Sequence, residues 1–310
     1  MNVPLKVSDE GRVYYERLRQ NGAFGSSGFS LNDLRQCMAT RREPTIGGVR
    51  CSRQEIDGIS CEWVIAEKAD PRLRLLYLHG GGFVSGSSEF YLALAARISV
   101  AARCAVLLPN YRLAPEYPFP AGLDDCIRAC EWLMARGPAG VALAKAMFIG
   151  GDSAGGGLAI SVLLALRDRR RPLPRGAILL SPFTDMTLQG GSIRSEGGLD
   201  PIMCPKCLPD FVSLYMGKAD LLDPLASPAF ADYAGLPPLL FQVGEHEVIR
   251  DDSVRAAAKA QACGVDATLE VWPGMFHVFQ SHEPLLPEGI QAVEHMAAFM
   301  RRHSAGTANH

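Results

Sequence analysis

The stretch that decides the fold is Ala146-Met147-Phe148-Ile149-Gly150-Gly151-Asp152-Ser153-Ala154-Gly155-Gly156. A short apolar run enters it, glycines surround one serine, and a long apolar run, Leu158 to Leu166, leaves it. The pattern reads as buried strand, sharp turn, buried helix. Gly151 and Gly155 flank Ser153 at the spacing of a nucleophile elbow, a turn that holds the serine at strained angles and projects its hydroxyl above the sheet. A side chain at either glycine would collide with neighbouring backbone. The helix N-terminus beneath the serine favours negative charge developing there. An incidental serine in a glycine-rich turn would share this local pattern, so the reading needs partner residues elsewhere.

Outward from this unit, strands and helices alternate. A hairpin with Asp57-Gly58 at its turn pairs strands near Val49 to Arg53 and Ser60 to Ala66. Further strands are expected at Leu73 to Leu78, Ala105 to Leu108, Ala177 to Leu180, Leu239 to Val243 and Ala267 to Val271. Helices are expected at Glu89 to Ala102, along the stripe Leu123, Cys126, Ile127, Cys130, Leu133 and Met134, and at Asp251 to Cys263. The closing helix takes its apolar face from Ile290, Val293, Met296 and Met300. This alternation predicts an α/β fold: a mostly parallel eight-stranded sheet with helices on both faces. Ligands then bind beyond the carboxyl ends of the strands. Residues 1–45 read as amphipathic helices, with Val7, Tyr14 and Leu18 on one face and Leu31, Leu34 and Met38 on another. Residues 46–310 form the catalytic domain, interrupted at about 183–235 by a Gly-, Pro- and Asp-rich insertion with a helix near Pro205 to Tyr215. The N-terminal segment and the insertion are expected to form a helical cap that roofs the site.

Composition narrows the classes. The chain has 310 residues, 48% hydrophobic and 21% charged, with net charge −2, as a soluble globular protein has. Interspersed charge with no basic stripe argues against nucleic acid, and no basic amphipathic helix suggests a membrane surface. Leu158 to Leu166 is too short to span a bilayer. Met1 to Arg12 has no apolar core of a secretory signal, and the nine cysteines are scattered and odd in number. Together these predict reduced thiols and a cytoplasmic location. Cys204 and Cys207 form an isolated pair without suitably spaced partners, so no metal site is expected. A homodimer is compatible with the sequence, which leaves the oligomeric state open.

Partner residues for Ser153 are present. His79-Gly80-Gly81-Gly82-Phe83 follows a buried strand, and its glycines let backbone N–H groups converge on one substrate oxygen. Gly81 and Gly82, with the N–H of Ala154, are the expected oxyanion hole. His79 reads as a structural residue of this loop. His277, in Trp272-Pro273-Gly274-Met275-Phe276-His277, is presented by a Pro-Gly turn at the carboxyl end of the last strand and is the expected base. His282 is expected on a solvated loop, His295 on the final helix, and His303 and His310 in or near the tail. The acid should follow the strand Leu239 to Val243, where Glu245, Glu247, Asp251 and Asp252 are candidates. Glu247 lies in the loop above the sheet, whereas Asp251 and Asp252 suit the capping of the next helix. Ser153, Glu247, His277 is then the chain order of an α/β-hydrolase triad.

The sequence resembles the hormone-sensitive-lipase-like family of α/β-hydrolases, which includes bacterial carboxylesterases and monoterpene lactone hydrolases. The resemblance runs from roughly Leu73 to Arg302 and is carried by several linked motifs in one order. They are His79-Gly80-Gly81-Gly82, Tyr111-Arg112-Leu113-Ala114-Pro115-Glu116, Gly151-Asp152-Ser153-Ala154-Gly155-Gly156, Asp223-Pro224-Leu225-Ala226-Ser227-Pro228 and Pro273-Gly274-Met275-Phe276-His277. It implies hydrolysis of short- to medium-chain carboxylic esters through an acyl-enzyme, without metal or cofactor, on a small-molecule ester or lactone. It aligns Glu247 with the position where the family more often has aspartate, and it makes Glu116 and Asp152 structural. Lactone hydrolysis by the same triad is the alternative. A non-catalytic receptor on this fold is disfavoured, because such proteins lose a triad member and here serine, acid and histidine are all present.

Overall fold

A computed structural model of the chain describes residues 3, 6–195, 199–282 and 286–304. Its centre is an eight-stranded sheet in the order β1-β2-β4-β3-β7-β8-β9-β10. The strands are β1 (Val49–Ile56), β2 (Ile59–Ala66), β3 (Asp70–Leu78), β4 (Cys104–Pro109), β7 (Ala146–Asp152), β8 (Ala177–Leu180), β9 (Leu239–Gly244) and β10 (Ala267–Trp272). A separate two-residue hairpin, β5 (Arg136–Gly137) and β6 (Gly140–Val141), stands apart from the sheet. β2 runs antiparallel to β1 and to β4, and all other pairings in the sheet are parallel. The helices are α1 (Asp9–Asn21), α2 (Leu31–Met38), α3 (Leu92–Ala102), α4 (Ala121–Ala135), α5 (Ala154–Asp168), α6 (Ser192–Ser195), α7 (Leu208–Met216), α8 (Arg250–Ala262) and α9 (Pro287–Ser304).

Side chains alternate across the central strands and divide the core in two. Leu75 and Tyr77 of β3, with Phe148 of β7, pack under α3 and α9. Leu76 and Leu78, with Ile149, pack under α4 and α5. A strand buried on both faces is apolar at nearly every position, which is why these runs read as continuous rather than alternating. On α9 the buried stripe passes through Gly289, Ala292, Val293, Met296 and Met300. Ile290 lies beside that stripe and is 48% exposed, so it does not belong to the apolar face expected of it.

Strand order creates the site. From β3 the chain crosses to β4 on one side, and β7 then returns to pair with β3 on the other. This reversal leaves a crevice at the carboxyl ends of β3 and β7. Leu78 pairs with Gly151, so His79 and the following glycines emerge beside Ser153. On the far side, Gly244 pairs with Trp272, and the loops bearing Glu247 and His277 emerge together.

Two segments outside this alternation lie over the crevice. α1 and α2 are capped by Ser8 and Ser30, whose hydroxyls accept from the N–H groups of Gly11 and Asp33. The segment between β8 and β9 carries α6, α7 and short 3-10 turns at Pro205–Cys207 and Pro228–Phe230. The two segments meet where Phe24 bridges Met203. Asp251 and Asp252 do not cap α8 as expected: Ile249 holds that position and offers no side-chain bond. Asp252 instead accepts from the N–H groups of Thr184 (2.7 Å) and Asp185 (3.0 Å), and Asp251 from that of Ser192 (3.0 Å). Asp252 is buried and Asp251 half-buried, both turned to the backbone donors that the insertion supplies across the sheet end. Among the described residues no helix is long and apolar enough to cross a membrane.

Candidate active site

The structure puts Ser153 between β7 and α5 at φ 51°, ψ −120°. Three bonds hold this conformation: its N–H donates to Leu180 O (2.8 Å), and its carbonyl accepts from Phe183 (2.8 Å) and Gly157 (3.1 Å). A Cβ at Gly155 would lie 2.0 Å from Leu78 O, and one at Gly151 would lie 2.5 Å from the Gly155 backbone. The turn can therefore pass against β3 only with glycine at both positions.

The triple-glycine loop is fastened from behind. Asp152 accepts from Tyr77 Oη (3.0 Å), Tyr91 Oη (2.7 Å) and the N–H of Gly80 (3.1 Å). Burial pushes its pKa up to about 6 against the pull of these bonds. His79 stacks on Tyr111 with ring centroids 4.2 Å apart, and Tyr111 Oη donates to His79 O (2.6 Å). Burial drives the His79 imidazole down to about 4, so it is neutral at ordinary pH and holds the loop. Gly81 and Gly82 take φ +116° and +63°. Among the described residues, no hydrogen bond is made by the N–H of Gly81, Gly82 or Ala154. Each is thus a donor left for a guest.

His277 and Glu247 are both buried, with Nδ1 of the imidazole 3.0 Å from Oε2 of the carboxylate. The other carboxylate oxygen accepts from Ser181 Oγ (2.7 Å) and from the N–H of Gly244. Ser181 Oγ also accepts from the N–H of Val278 (3.3 Å), joining the loop of Glu247 to that of His277. Burial opposes a charged imidazolium, but the bond and charge of Glu247, with the charges of Asp200 and Asp152, outweigh it and raise the His277 pKa above its ordinary value.

One cavity of about 490 Å³ is lined by Ser153, Gly81, Gly82 and His277 together. Its walls are mostly apolar, with Leu34 and Met38 from the N-terminal segment and Ile202, Met203 and Phe211 from the insertion. His282 lines it too, contrary to the solvated loop expected for it. Its ring stands edge-on to Phe276 at 4.9 Å, and its Nδ1 is 3.4 Å from Tyr14 Oη. Burial lowers its pKa to about 3. His295 is remote and pairs with Glu270 (2.8 Å), His303 lies 4.0 Å from Asp266, and His310 is outside the described residues. Cys204 and Cys207 are free, and Cys207 Sγ contacts Cys204 O at 2.9 Å.

Sequence reasoning missed Ser181, Asp200 and Arg35. Arg35 donates to both oxygens of Glu116 (2.7 and 2.6 Å), to Val84 O (2.8 Å) and to Ala114 O (2.9 Å). It fastens α2 to the loop that carries Gly81 and Gly82. Each of these residues acts on a partner 48 or more positions away, and no local spacing signals that.

Fold and crevice together define the class, an α/β-hydrolase. A profile described as alpha/beta hydrolase fold matches residues 75–281, and the chain belongs to that family. An acetyl-hydrolase of Streptomyces hygroscopicus is 38% identical over 94% of this chain and 88% of its own length. An esterase of Acinetobacter venetianus is 33% identical over 78% of each. Among solved structures, the esterase EstE5 superposes with TM-score 0.89 at 38% identity, covering 96% of this chain and all of that one. An esterase from the bacterial hormone-sensitive lipase family superposes at 0.86 with 37% identity, over 96% and 99% of the two chains. The protein is a carboxylesterase of the hormone-sensitive-lipase-like group, a serine hydrolase in its chemistry.

Proposed function

We propose that Ser153, His277 and Glu247 carry the ester hydrolysis, with the N–H groups of Gly81, Gly82 and Ala154 as the oxyanion hole. The observation behind this is that Ser153, at a positive φ, shares one cavity with a histidine whose far nitrogen is held by a buried carboxylate. With Nδ1–H engaged by Glu247, Nε2 is the free base. Ser153 Oγ attacks the ester carbonyl carbon as its proton passes to Nε2. The carbonyl oxygen becomes an oxyanion facing the three N–H groups. Collapse breaks the bond to the alcohol oxygen, which takes the proton from His277. Water then attacks the acyl-enzyme, gives its proton to His277, and the second collapse frees the carboxylic acid and returns the proton to Ser153.

The acyl group is short to medium, about two to eight carbons, because the cavity is small and mostly apolar. The names of the relatives agree with that range: one is an acetyl-hydrolase, and EstE5 was soaked with p-nitrophenyl butyrate. Residues 1–45 and about 183–235 act as the cap that limits it. We infer a reducing compartment such as the cytoplasm, a reading with which nine unpaired cysteines are compatible. The decisive experiment is a panel of p-nitrophenyl esters from acetate to palmitate, plus lactones, assayed with wild type and Ser153→Ala. Hydrolysis of the short esters that falls by roughly 10⁴ to 10⁶ in the folded variant, with fluorophosphonate labelling at Ser153, is the expected result. Labelling elsewhere with activity intact in Ser153→Ala would overturn it.

A further inference from the structure

Asp200 is a buried carboxylate that the catalytic cycle above does not use. It belongs to the insertion, yet its Oδ2 accepts from the N–H of Val248 (3.0 Å), the residue that follows Glu247. Its Oδ1 accepts from the N–H groups of Ile202 (2.9 Å) and Met203 (3.1 Å), both of which line the cavity. The same turn is tied to the N-terminal segment. Phe24 N–H donates to Ile202 O (2.9 Å), Cys204 N–H donates to Phe24 O (3.0 Å), and Tyr15 Oη donates to Leu199 O (2.6 Å).

We propose that Asp200 is a positioning residue for the ester hydrolysis, joining the wall of the substrate cavity to the loop that carries Glu247. The proposal rests on the assignment of Glu247 and His277 as acid and base. One carboxylate spans the two structures, so the wall cannot shift without drawing on the backbone next to the acid. A buried charge is costly unless it is well bonded, and three backbone donors are what Asp200 receives. The titratable groups around it are His277 and Glu247 from the catalytic loops, Tyr15 from α1 and Cys207 from the turn before α7. Of these only His277 can be positive, so the Asp200 charge favours the imidazolium formed during catalysis. Glu247, Asp152 and His282 also face His277, and the first two act in the same direction.

The substitution Asp200→Asn removes the charge and one acceptor while keeping the shape. Full-length Asp200→Asn, Asp200→Glu and Glu247→Gln are compared with wild type on p-nitrophenyl butyrate across pH. For Asp200→Asn, kcat is expected to fall about ten- to a hundredfold, the equivalent of one charge-assisted hydrogen bond. The acid limb of kcat/KM should also move to lower pH, because His277 loses a neighbouring negative charge. Asp200→Glu keeps the charge but displaces it, so kcat should fall while the acid limb stays near wild type. A purely structural residue would lower the melting temperature and leave the limb of the folded fraction in place. Wild-type kcat and limb in Asp200→Asn, or a change in melting temperature alone, overturns the proposal. If Asp200→Asn does not fold, Asp200→Glu decides: unchanged kcat there overturns it. The triad assignment fails separately, if Glu247→Gln keeps wild-type activity. Loss of activity in Glu247→Gln beside a wild-type Asp200→Asn sinks only the role of Asp200.

Discussion

Ser153 holds a backbone conformation that costs a residue other than glycine about 1–3 kcal/mol, and three backbone bonds over-determine it. Glu247 is held as tightly, with one oxygen spent on Ser181 and Gly244 and the other left for His277. Glu247→Gln presents an amide that can favour the wrong imidazole tautomer, and kcat should drop by about 10⁴ in a folded variant. Asp251→Asn should leave kcat within a few fold and lower the melting temperature, since that carboxylate binds the Ser192 N–H. The reverse ranking would move the acid to Asp251. The same pair sets the pH profile. The base we propose, His277, must be neutral to act, and its pKa is raised above 6.5 by neighbouring carboxylates despite its burial. Between 6.5 and the raised value the imidazole is still protonated and cannot accept the serine proton. The acid limb of kcat/KM should therefore have its midpoint above pH 6.5, and a midpoint below 6.5 would contradict the geometry around His277.

The elements carry these residues through a few contacts that a single atom can spoil. Gly155→Ala would drive a Cβ to 2.0 Å from Leu78 O, where neither backbone can retreat. We expect it to abolish soluble enzyme or lower the melting temperature by more than any cavity-lining change, which thermal denaturation would settle. Strand and helix positions were legible because they depend on local pattern. The runs around Ala146 to Asp152 and Leu239 to Gly244 announce buried strands wherever they are read. The glycine spacing likewise announced the turn at Ser153. His282 was misread because a histidine after a turn looks solvated, and only the arrival of Tyr14 and Phe276 dries it. Ile290 was misread because the apolar spacing on α9 continues past the stripe that the sheet covers. Asp252 was misread because an acid in a first turn resembles a cap until Thr184 arrives from 68 positions away. For His282 and Asp252 a deciding partner, Tyr14 or Thr184, is distant in sequence, and periodicity carries no record of it.

At the scale of the whole molecule, the sheet supplies the chemistry and two unrelated segments supply the walls. The cavity of about 490 Å³ exists because the N-terminal segment and the insertion close over the carboxyl ends of β3 and β7. Arg35 locks the first segment to the loop that carries Gly81 and Gly82, and Asp200 locks the second to the loop that carries Glu247. Within this frame Phe211 is the side chain best placed to set acyl length. It lines the cavity, its ring would lie 2.6 Å from a Cβ at Gly82, and it packs edge-on to Phe29 at 5.2 Å. Its ring thus stands at the Gly81–Gly82 loop, the place we propose for the substrate carbonyl. Phe211→Leu removes part of that ring without adding a polar group, so the space it frees is apolar. Each methylene that gains burial there stabilises the bound ester by about 0.8 kcal/mol. Two such methylenes would raise kcat/KM for p-nitrophenyl decanoate relative to the butyrate by roughly tenfold, while kcat for acetate should change little. An unchanged decanoate-to-butyrate ratio in a folded Phe211→Leu enzyme would mean that the acyl chain leaves Ser153 in another direction, along the wall formed by Leu34 and Met38.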